Sequence, residues 1–313
     1  MLRKLTGATV WLALVFLAVA TGADDAKNEQ PAAKASDGEA VLLRWKVPDG
    51  KALGLKTAMF PVDPASTTLL RFDFKKLAEG HGLPPIPDDA IATAFRMPQS
   101  YSMTTLLKPL PGGNLSAKII VGDVQMPGGG GSEVEQTTAE LMKQMEGTVQ
   151  LRGEITDSGQ VASFWLEQKQ KNLLAVFLEL PTAPVKVGQS WSLSVNFLEM
   201  GSGFICDKSG RANSVKLVSL SKTAGGDTVA TMEYCLAESI EGKFRLPTGG
   251  ADQPCTMAMS FVGRGEFLVG KGTWQRFVGR MHIKATGVMT SDAQQHFAME
   301  PMAEVPAKLL EME

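Results

Sequence analysis

Short runs of apolar and β-branched residues, separated by glycine, proline, aspartate and asparagine, recur along most of the chain. Apolar and polar positions alternate clearly in 149–155 and 190–197, which is typical of a strand with one buried face. Turn sequences such as Asp157-Ser158-Gly159 join neighbouring runs into hairpins. The other predicted strands are 41–47, 68–74, 101–107, 115–124, 161–167, 215–221, 228–236, 256–268 and 273–289. Antiparallel pairing is favoured, because each strand has a single apolar face.

One segment, between Gly131 and Gly147, has the pattern of an amphipathic helix. Ser132 and Glu135 form a capping box, and apolar residues recur at helical spacing from Val134 to Met145. Residues 173–180 form a continuous apolar run that fits either a buried strand or a short helix. We therefore predict a mainly β protein of the β-rich α+β class. Its expected architecture is a curved antiparallel sheet or half-barrel packed on the helix at 131–147.

The N-terminus has the three regions of a secretory signal peptide. Arg3 and Lys4 precede a charge-free apolar stretch. The small-x-small patterns ending at Ala20 and at Ala23 suit cleavage after either of these residues. A retained membrane anchor is the alternative, although the stretch is slightly short for a bilayer. No cysteine lies near the cleavage site, so lipid attachment there is not expected. We predict a secreted or periplasmic protein with no integral membrane segment after cleavage.

The composition of the chain divides it into four predicted segments. Residues 1–23 are the predicted signal peptide, and residues 24–40 are a polar tether without large apolar side chains. Residues 41–300 are predicted to form the β-rich domain, and residues 301–313 a C-terminal tail. Two similar halves, 41–199 and 200–300, are a further interpretation, because the hairpins around Gly159 and Gly270 resemble each other.

Composition narrows the function classes. The 31 Lys and Arg nearly balance the 33 Asp and Glu, whereas a nucleic-acid-binding domain normally carries a basic surface. The chain has three histidines, and none has a partner at metal-ligand spacing. No catalytic motif occurs, so we predict no catalytic residues, no metal and no cofactor. A site assembled from His81 with Asp88 or Asp89 is the least favoured interpretation.

The three cysteines and the 16 methionines bear on disulfide pairing and on the character of the core. Cys235 and Cys255 are candidates for a disulfide, a Cys206–Cys235 bond is a second option, and three reduced thiols are equally compatible with the odd number. Cys255, Met257 and Met259 share one face of a predicted strand, where they favour a core stripe over a copper site. The 16 methionines also suit an adaptable apolar pocket.

Several turn motifs carry a resemblance to a known group of proteins. The segment Pro184-Val185-Lys186-Val187-Gly188-Gln189-Ser190-Trp191 contains a P-V-x-V-G-x-x-W turn, in which Pro184 and Gly188 shape the turn and Trp191 anchors the next strand. Together with 43–51, 145–161 and the hairpin at 265–274, it resembles secreted β-rich proteins of planctomycete-type bacteria. That family has no known function, so the resemblance implies a β-rich fold and no catalytic residues.

Taken together, the sequence favours a non-enzymatic extracytoplasmic binding or carrier-like module for a hydrophobic ligand. A structural or interaction protein of the cell envelope is the alternative, with an envelope protein as its partner. An enzyme is the third and least favoured interpretation.

Overall fold

The computed structural model describes residues 38–63, 69–72, 95–96, 98, 100–126, 133–164, 171–198, 204–244, 252–287 and 289–312. The predicted signal peptide, residues 24–37 of the tether, and His81, Asp88 and Asp89 lie outside the described residues. The strands are β1 (Leu53–Pro61), β2 (Leu69–Phe72), β3 (Phe95–Arg96), β4 (Ser100–Pro109), β5 (Leu115–Gln125), β6 (Val149–Ile155), β7 (Val161–Phe164), β8 (Ser190–Trp191), β9 (Phe204–Lys222), β10 (Thr228–Phe244), β11 (Gln253–Leu268), β12 (Thr273–Gly287) and β13 (Met289–Pro301). The helices are α1 (Glu133–Gln144), α2 (Lys171–Leu178) and α3 (Ala307–Glu311). Of these helices, none combines the length and the apolar composition that a membrane span requires.

The strands form one large antiparallel sheet that does not close into a barrel. Its order is β7-β6-β5-β4-β1-β13-β12-β11-β10-β9-β8, with the short strands β2 and β3 attached beside β13. β1 lies in the middle, between β4 and β13, so strands from both proposed halves belong to one continuous sheet. The prediction of a mainly β protein with an unclosed antiparallel sheet is confirmed.

The sheet must curve strongly, because one short helix reaches strands that are far apart in it. α2 contacts β7 at one edge, and Phe177 packs against Phe277 of β12 and Phe297 of β13 in the middle. From β7 to β12 the sheet has six strand spacings of about 4.8 Å, which would span roughly 29 Å if flat, whereas eight helical residues extend only about 12 Å. The sheet therefore wraps around α2, and we call the side that faces α2 the inner face.

The helix inside the curve is not the one that the sequence pattern favours. In α2 and just after it, every side chain from Leu174 to Leu180 is buried. By contrast, α1 is the predicted amphipathic helix, and its described side chains are exposed or half-buried beside β5. The apolar run at 173–180 thus resolves as a helix, since a segment surrounded by protein on all sides needs no polar stripe.

Two predicted strands differ in the structure. Residues 41–47 are extended but join no ladder, because their amides bond to separate loops: Val41 to Val185, Trp45 to Asp157 and Lys46 to Gly272. Of the predicted strand at 190–197, only Ser190–Trp191 pairs with β9. The rest of this segment leaves the sheet edge.

Glycines on the inner face make room for aromatic rings. A Cβ on Gly265 would lie 2.6 Å from the Trp274 ring, and one on Gly279 would lie 2.5 Å from the Phe261 ring. The sequence pattern assigns these strand glycines to bulges and coiling. Their position gives a second reason for glycine at these sites. Aromatic rings from neighbouring positions pack directly over the backbone, where a Cβ would collide with them.

The segment after β13 packs on the outer face. Met302 and Val305 lie against Gly54, where a Cβ would come within 3.0 Å of either side chain. Lys108 donates to the carbonyl of Leu310 at 3.2 Å, and Lys118 donates to that of Met312 at 2.6 Å. Residues 302–312 therefore cover β1, β4 and β5 from outside.

Candidate functional site

The inner face of the central strands is predominantly apolar. On β11, the four alternate residues from Cys255 to Phe261 point to the core, and each is at most 6% exposed. The register places Met281 and Ile283 of β12 directly beside Phe261 and Met259, at the half-buried margin of the same surface. Seven methionines lie on this face: Met59, Met103, Met232, Met257, Met259, Met281 and Met299. The face is thus lined by flexible side chains that can repack.

One end of the inner face is filled by an aromatic plug, made of Trp45, Phe177, Phe267, Trp274 and Phe277. Ring centroids are 5.4 Å apart for Trp45 and Phe267, and 5.6 Å for Phe177 and Phe277, with nearly perpendicular planes. The indole of Trp45 donates to the Leu178 carbonyl at 2.7 Å, and that of Trp274 donates to the Phe177 carbonyl at 2.8 Å. These bonds satisfy carbonyls at the end of α2, which would otherwise be buried without partners.

Beyond β8, residues 192–198 form an extended strap whose backbone is bonded by side chains rather than by a neighbouring strand. Asn213 of β9 accepts from the Leu193 amide at 2.9 Å and donates to its carbonyl at 2.6 Å. Asn172 of α2 makes the same pair of bonds with Asn196, at 2.8 and 2.5 Å. Arg211 donates to the Val195 carbonyl. The strap is therefore held between α2 on one side and β9 on the other.

Two buried carboxylates complete this arrangement. Glu179, just after α2, accepts from the Ser194 amide at 2.9 Å and from its hydroxyl at 3.1 Å. Glu238 of β10 accepts from the amides of Phe197 and Leu198 at 2.6 and 2.9 Å. Only 6% of Glu179 and 7% of Glu238 is exposed. Of the strap's own apolar side chains, Leu193, Val195 and Leu198 are buried as well, and Phe197 is half-buried.

Glu238 sits between opposing electrostatic influences. Burial raises the pKa of its carboxyl group, while the amides of the strap and the Arg211 guanidinium, 3.5 Å away, favour the ionised form. Burial is the largest of these influences, so the pKa lies above its ordinary value of 4.5. Burial therefore disfavours the ionised form of Glu238, because the charge loses its hydration.

Two hydroxyl groups on the inner face have no hydrogen-bond partner. They are Thr57 Oγ1 on β1 and the Tyr234 hydroxyl on β10, in side chains that are 1% and 3% exposed. Burial raises the pKa of Tyr234, and the nearby Glu179 carboxylate raises it further. Buried polar atoms are normally bonded, so these two are unusual groups on an otherwise apolar surface.

The outer face of β9–β12 carries two adjoining grooves of 420 and 400 Å³. Their floor consists of small residues, including Gly210, Ala212, Ala237, Ser239 and Ala258. His282 lies here opposite Ser260 in the register, and its Nε2 is 2.7 Å from the Asp292 carboxylate. No hydrogen bond joins Ser260 to His282, although both residues are described. With 38% of His282 and 60% of Asp292 exposed, this is a solvent-screened surface pair.

A third cleft, of 910 Å³, opens at the end of the sheet that bears the aromatic plug. It lies between residues 45–49, the β4–β5 turn and the β11–β12 turn. The ammonium group of Lys46, one of its cations, is already bonded to the carbonyls of Val269 and Gly270 at 3.1 and 3.2 Å. The ammonium group of Lys46 is therefore already engaged by the β11–β12 turn.

The cysteines form no disulfide. Cys235 is exposed and pairs with Val262 on the outer face, whereas Cys255 is buried and pairs with Gly242. Cys235 and Cys255 therefore point to opposite faces at distant register positions, which rules out a bond between them in this fold. Cys206 is exposed on β9. The Cys255–Met257–Met259 stripe lies in the core, in agreement with its structural interpretation.

The remaining predicted site residues lie in separate places. Gly188 has φ of 91° in a turn, after the exposed Pro184, and Trp191 follows in β8 opposite Val215. Both described histidines, His282 and His296, lie on the outer face. Among the described residues, no three His, Cys, Asp or Glu side chains are grouped so as to hold a metal ion. The sequence does not predict the strap or its side-chain bonds. The polar residues that make these bonds are scattered along the chain and form no recognisable motif.

Comparisons of this chain with protein-family models, with curated proteins and with solved structures gave no match.

Proposed function

We propose that this protein is an extracytoplasmic binding or carrier-like module, and that a hydrophobic ligand binds on the inner face of the open sheet. The observation that carries the proposal is an unclosed sheet whose inner face is apolar and lined with seven methionines. Ligand sites are concave and mostly apolar, with few polar groups. The unpartnered hydroxyls of Thr57 and Tyr234 are such groups, and they suit a ligand with a hydrogen-bonding headgroup.

Methionine supports a ligand of variable shape. Its unbranched thioether side chain fills irregular spaces and repacks easily, which suits acyl chains better than one rigid molecule. The half-buried margin at Met281 and Ile283 is where such a chain would first contact the protein.

A fluorescent fatty acid, 11-(dansylamino)undecanoic acid, tests the proposal directly. Ile283→Glu places a charge on the inner face, and Val262→Glu places the same charge on the outer face, where Val262 is 53% exposed. We expect the unmodified protein and Val262→Glu to bind the probe, and Ile283→Glu to lose at least tenfold in affinity. Equal binding by both variants, or none by the unmodified protein, would contradict the proposal.

Native mass spectrometry identifies the natural ligand. Protein isolated from its own cell envelope is expected to carry a lipid-sized adduct that Ile283→Glu lacks. A protein that is always recovered without an adduct, and that binds no fatty acid, would instead favour the envelope interaction role.

The extracytoplasmic location rests on the N-terminal sequence pattern. Residues 1–40 fused to alkaline phosphatase lacking its own signal are expected to give an active, exported enzyme. Replacing both Arg3 and Lys4 by Glu is expected to reduce export. An inactive cytoplasmic fusion would remove this part of the proposal.

A further inference from the structure

The strap leaves most of one sheet edge without a strand partner, although the Ser192 hydroxyl donates to the Asn213 carbonyl of β9 at 2.9 Å. β9 pairs with β10 along its whole length, but on its other side the described residues supply a strand partner only at Lys216 and Val215. The segment 206–212 is exposed throughout. A long unpaired edge is a place where another strand can add. The strap, which immediately follows β8, has folded onto the inner face instead.

The strap has the sequence of a strand. Apolar and polar residues alternate through 190–197, so that Trp191, Leu193, Val195 and Phe197 share one face. β8 already pairs in register with β9, with Ser190 opposite Lys216. A strand with a preformed first pair and a free edge ahead of it would ordinarily continue along that edge.

We propose that the strap has a second position, in which it extends β8 along the free edge of β9, and that it moves there when a hydrophobic ligand occupies the inner face. This inference rests on the proposed function. In the observed position the strap fills part of the apolar surface with Leu193, Val195 and Leu198. In the second position it would leave that surface to the ligand.

The existing register determines the geometry of the second position. Continuing from Trp191–Val215, Leu193 falls opposite Asn213, Val195 opposite Arg211, and Phe197 opposite position 209. Position 209 pairs with Ile240 on β10, which places it on the inner face. The apolar side chains of the strap therefore keep facing inward, because strand alternation has a period of two. The strap and β9 then form a simple hairpin, so no chain has to thread through another.

The bonds that hold the strap are compatible with its release. They come from side chains, namely Asn172, Glu179, Arg211, Asn213 and Glu238. A ladder along β9 would replace them with backbone bonds. Arg211 and Glu238 remain beside each other after release, since they are direct neighbours in the β9–β10 register. Neither charge would then lose its partner.

Cysteine pairs distinguish the two positions. In a Cys206→Ser, Cys235→Ser background, Ser190→Cys with Lys216→Cys joins residues that are already opposite each other. Ser194→Cys with Ala212→Cys joins residues that become opposite only in the second position, at a Cβ spacing of about 5 Å. The first pair is the control, because it is expected to crosslink with or without ligand.

We expect the 194–212 pair to crosslink slowly alone and at least fivefold faster with saturating 11-(dansylamino)undecanoic acid. Once formed, this crosslink is expected to raise affinity for the probe several-fold, and reduction is expected to reverse the gain. If the control crosslinks and the protein binds the probe, but the 194–212 pair does not respond, the second position is wrong while the proposed function stands. If the unmodified protein binds no probe, the proposed function fails, and this inference fails with it.

Hydrogen exchange on the unmodified protein gives an independent measurement, which does not depend on how the cysteine variants fold. Adding the probe is expected to slow amide exchange across 208–214, because this part of the free edge gains a neighbour. Unchanged exchange there, with the probe demonstrably bound, would overturn the second position.

Discussion

The aromatic plug and the strap fill the same curved sheet by opposite means. The plug uses large rigid rings in edge contact, and its two indole groups donate to the end of α2. The strap contributes mainly aliphatic side chains and one half-buried ring, Phe197, and its backbone depends on polar side chains from three elements. Rings packed against rings have few alternative arrangements, whereas side-chain bonds to a backbone can be exchanged one by one. The difference assigns stability to the plug and adaptability to the strap.

The largest expected effect concerns the plug. Trp274 is fully buried, so Trp274→Ala is expected to lower the free energy of unfolding by about 3–5 kcal/mol. Trp274→Phe keeps a ring but removes the bond to the Phe177 carbonyl, and should cost less. Urea unfolding followed by circular dichroism measures both. A loss below about 1 kcal/mol for the alanine variant would show that the plug is not the stable region.

The next effect concerns the strap. Asn213→Ala leaves the amide and the carbonyl of Leu193 without partners, and about 1–3 kcal/mol of stability should be lost. Amide exchange is expected to rise across 192–198 and to stay unchanged around Trp274. Ser214→Ala, on the other face of β9, is the matched control. Faster exchange in both regions would mean that they open together.

A smaller effect is expected on the methionine-lined part of the inner face. Met259→Leu should change stability by less than about 1.5 kcal/mol, because the volumes are similar and the neighbours can repack. Phe277→Leu removes ring contacts to four neighbouring aromatic residues and should cost more. The same unfolding measurements rank the two variants. A reversed ranking would contradict the contrast between rigid and adaptable regions.

The smallest expected effect is a pH dependence at the strap. Because the pKa of folded Glu238 is raised above its ordinary value of 4.5, this carboxyl group stabilises the fold relative to the unfolded chain most at low pH. That contribution is lost as pH rises through the raised pKa. Glu238→Gln removes this pH dependence. Relative to that of Glu238→Gln, the free energy of unfolding of the unmodified protein should therefore fall as the pH rises above 4.5. A difference that is constant with pH would contradict the assignment.

The sequence predicts many of the strands and turns, because alternation and turn residues are local signals, but β1 and β13 are not among the predicted strands. Turns at Gly50 and Gly159 have positive φ angles of 71° and 77°, as glycine in a tight turn permits. A Cβ at Gly159 would also overlap the Leu178 carbonyl. The sequence also predicts the open antiparallel sheet, since single-faced strands without regular crossover helices pair with their neighbours.

What the sequence does not reveal depends on distant contacts. The alternation at 190–197 is a correct strand pattern, yet Asn213 and Glu238 redirect the chain onto the inner face. Neither residue carries any local sign of that role. The apolar run at 173–180 could be a strand or a helix, and only its central position within the curved sheet decides. β1 is the fifth of the eleven strands along the sheet, next to the middle strand β13, but Pro61 and Pro64 nearby obscure its pattern.

The pairing of β1 with β13 has a consequence for how the protein reaches this fold. Leu55 lies opposite Pro301, so the middle of the sheet joins a strand near the beginning of the chain to one near its end. The sheet cannot become continuous until almost the whole chain is available, and closing such a large loop slows folding. During synthesis β1 can pair with β4 on one side, but its other side stays unpaired until β13 is available. This edge of β1 therefore stays open to other strands until residues 289–301 have been made.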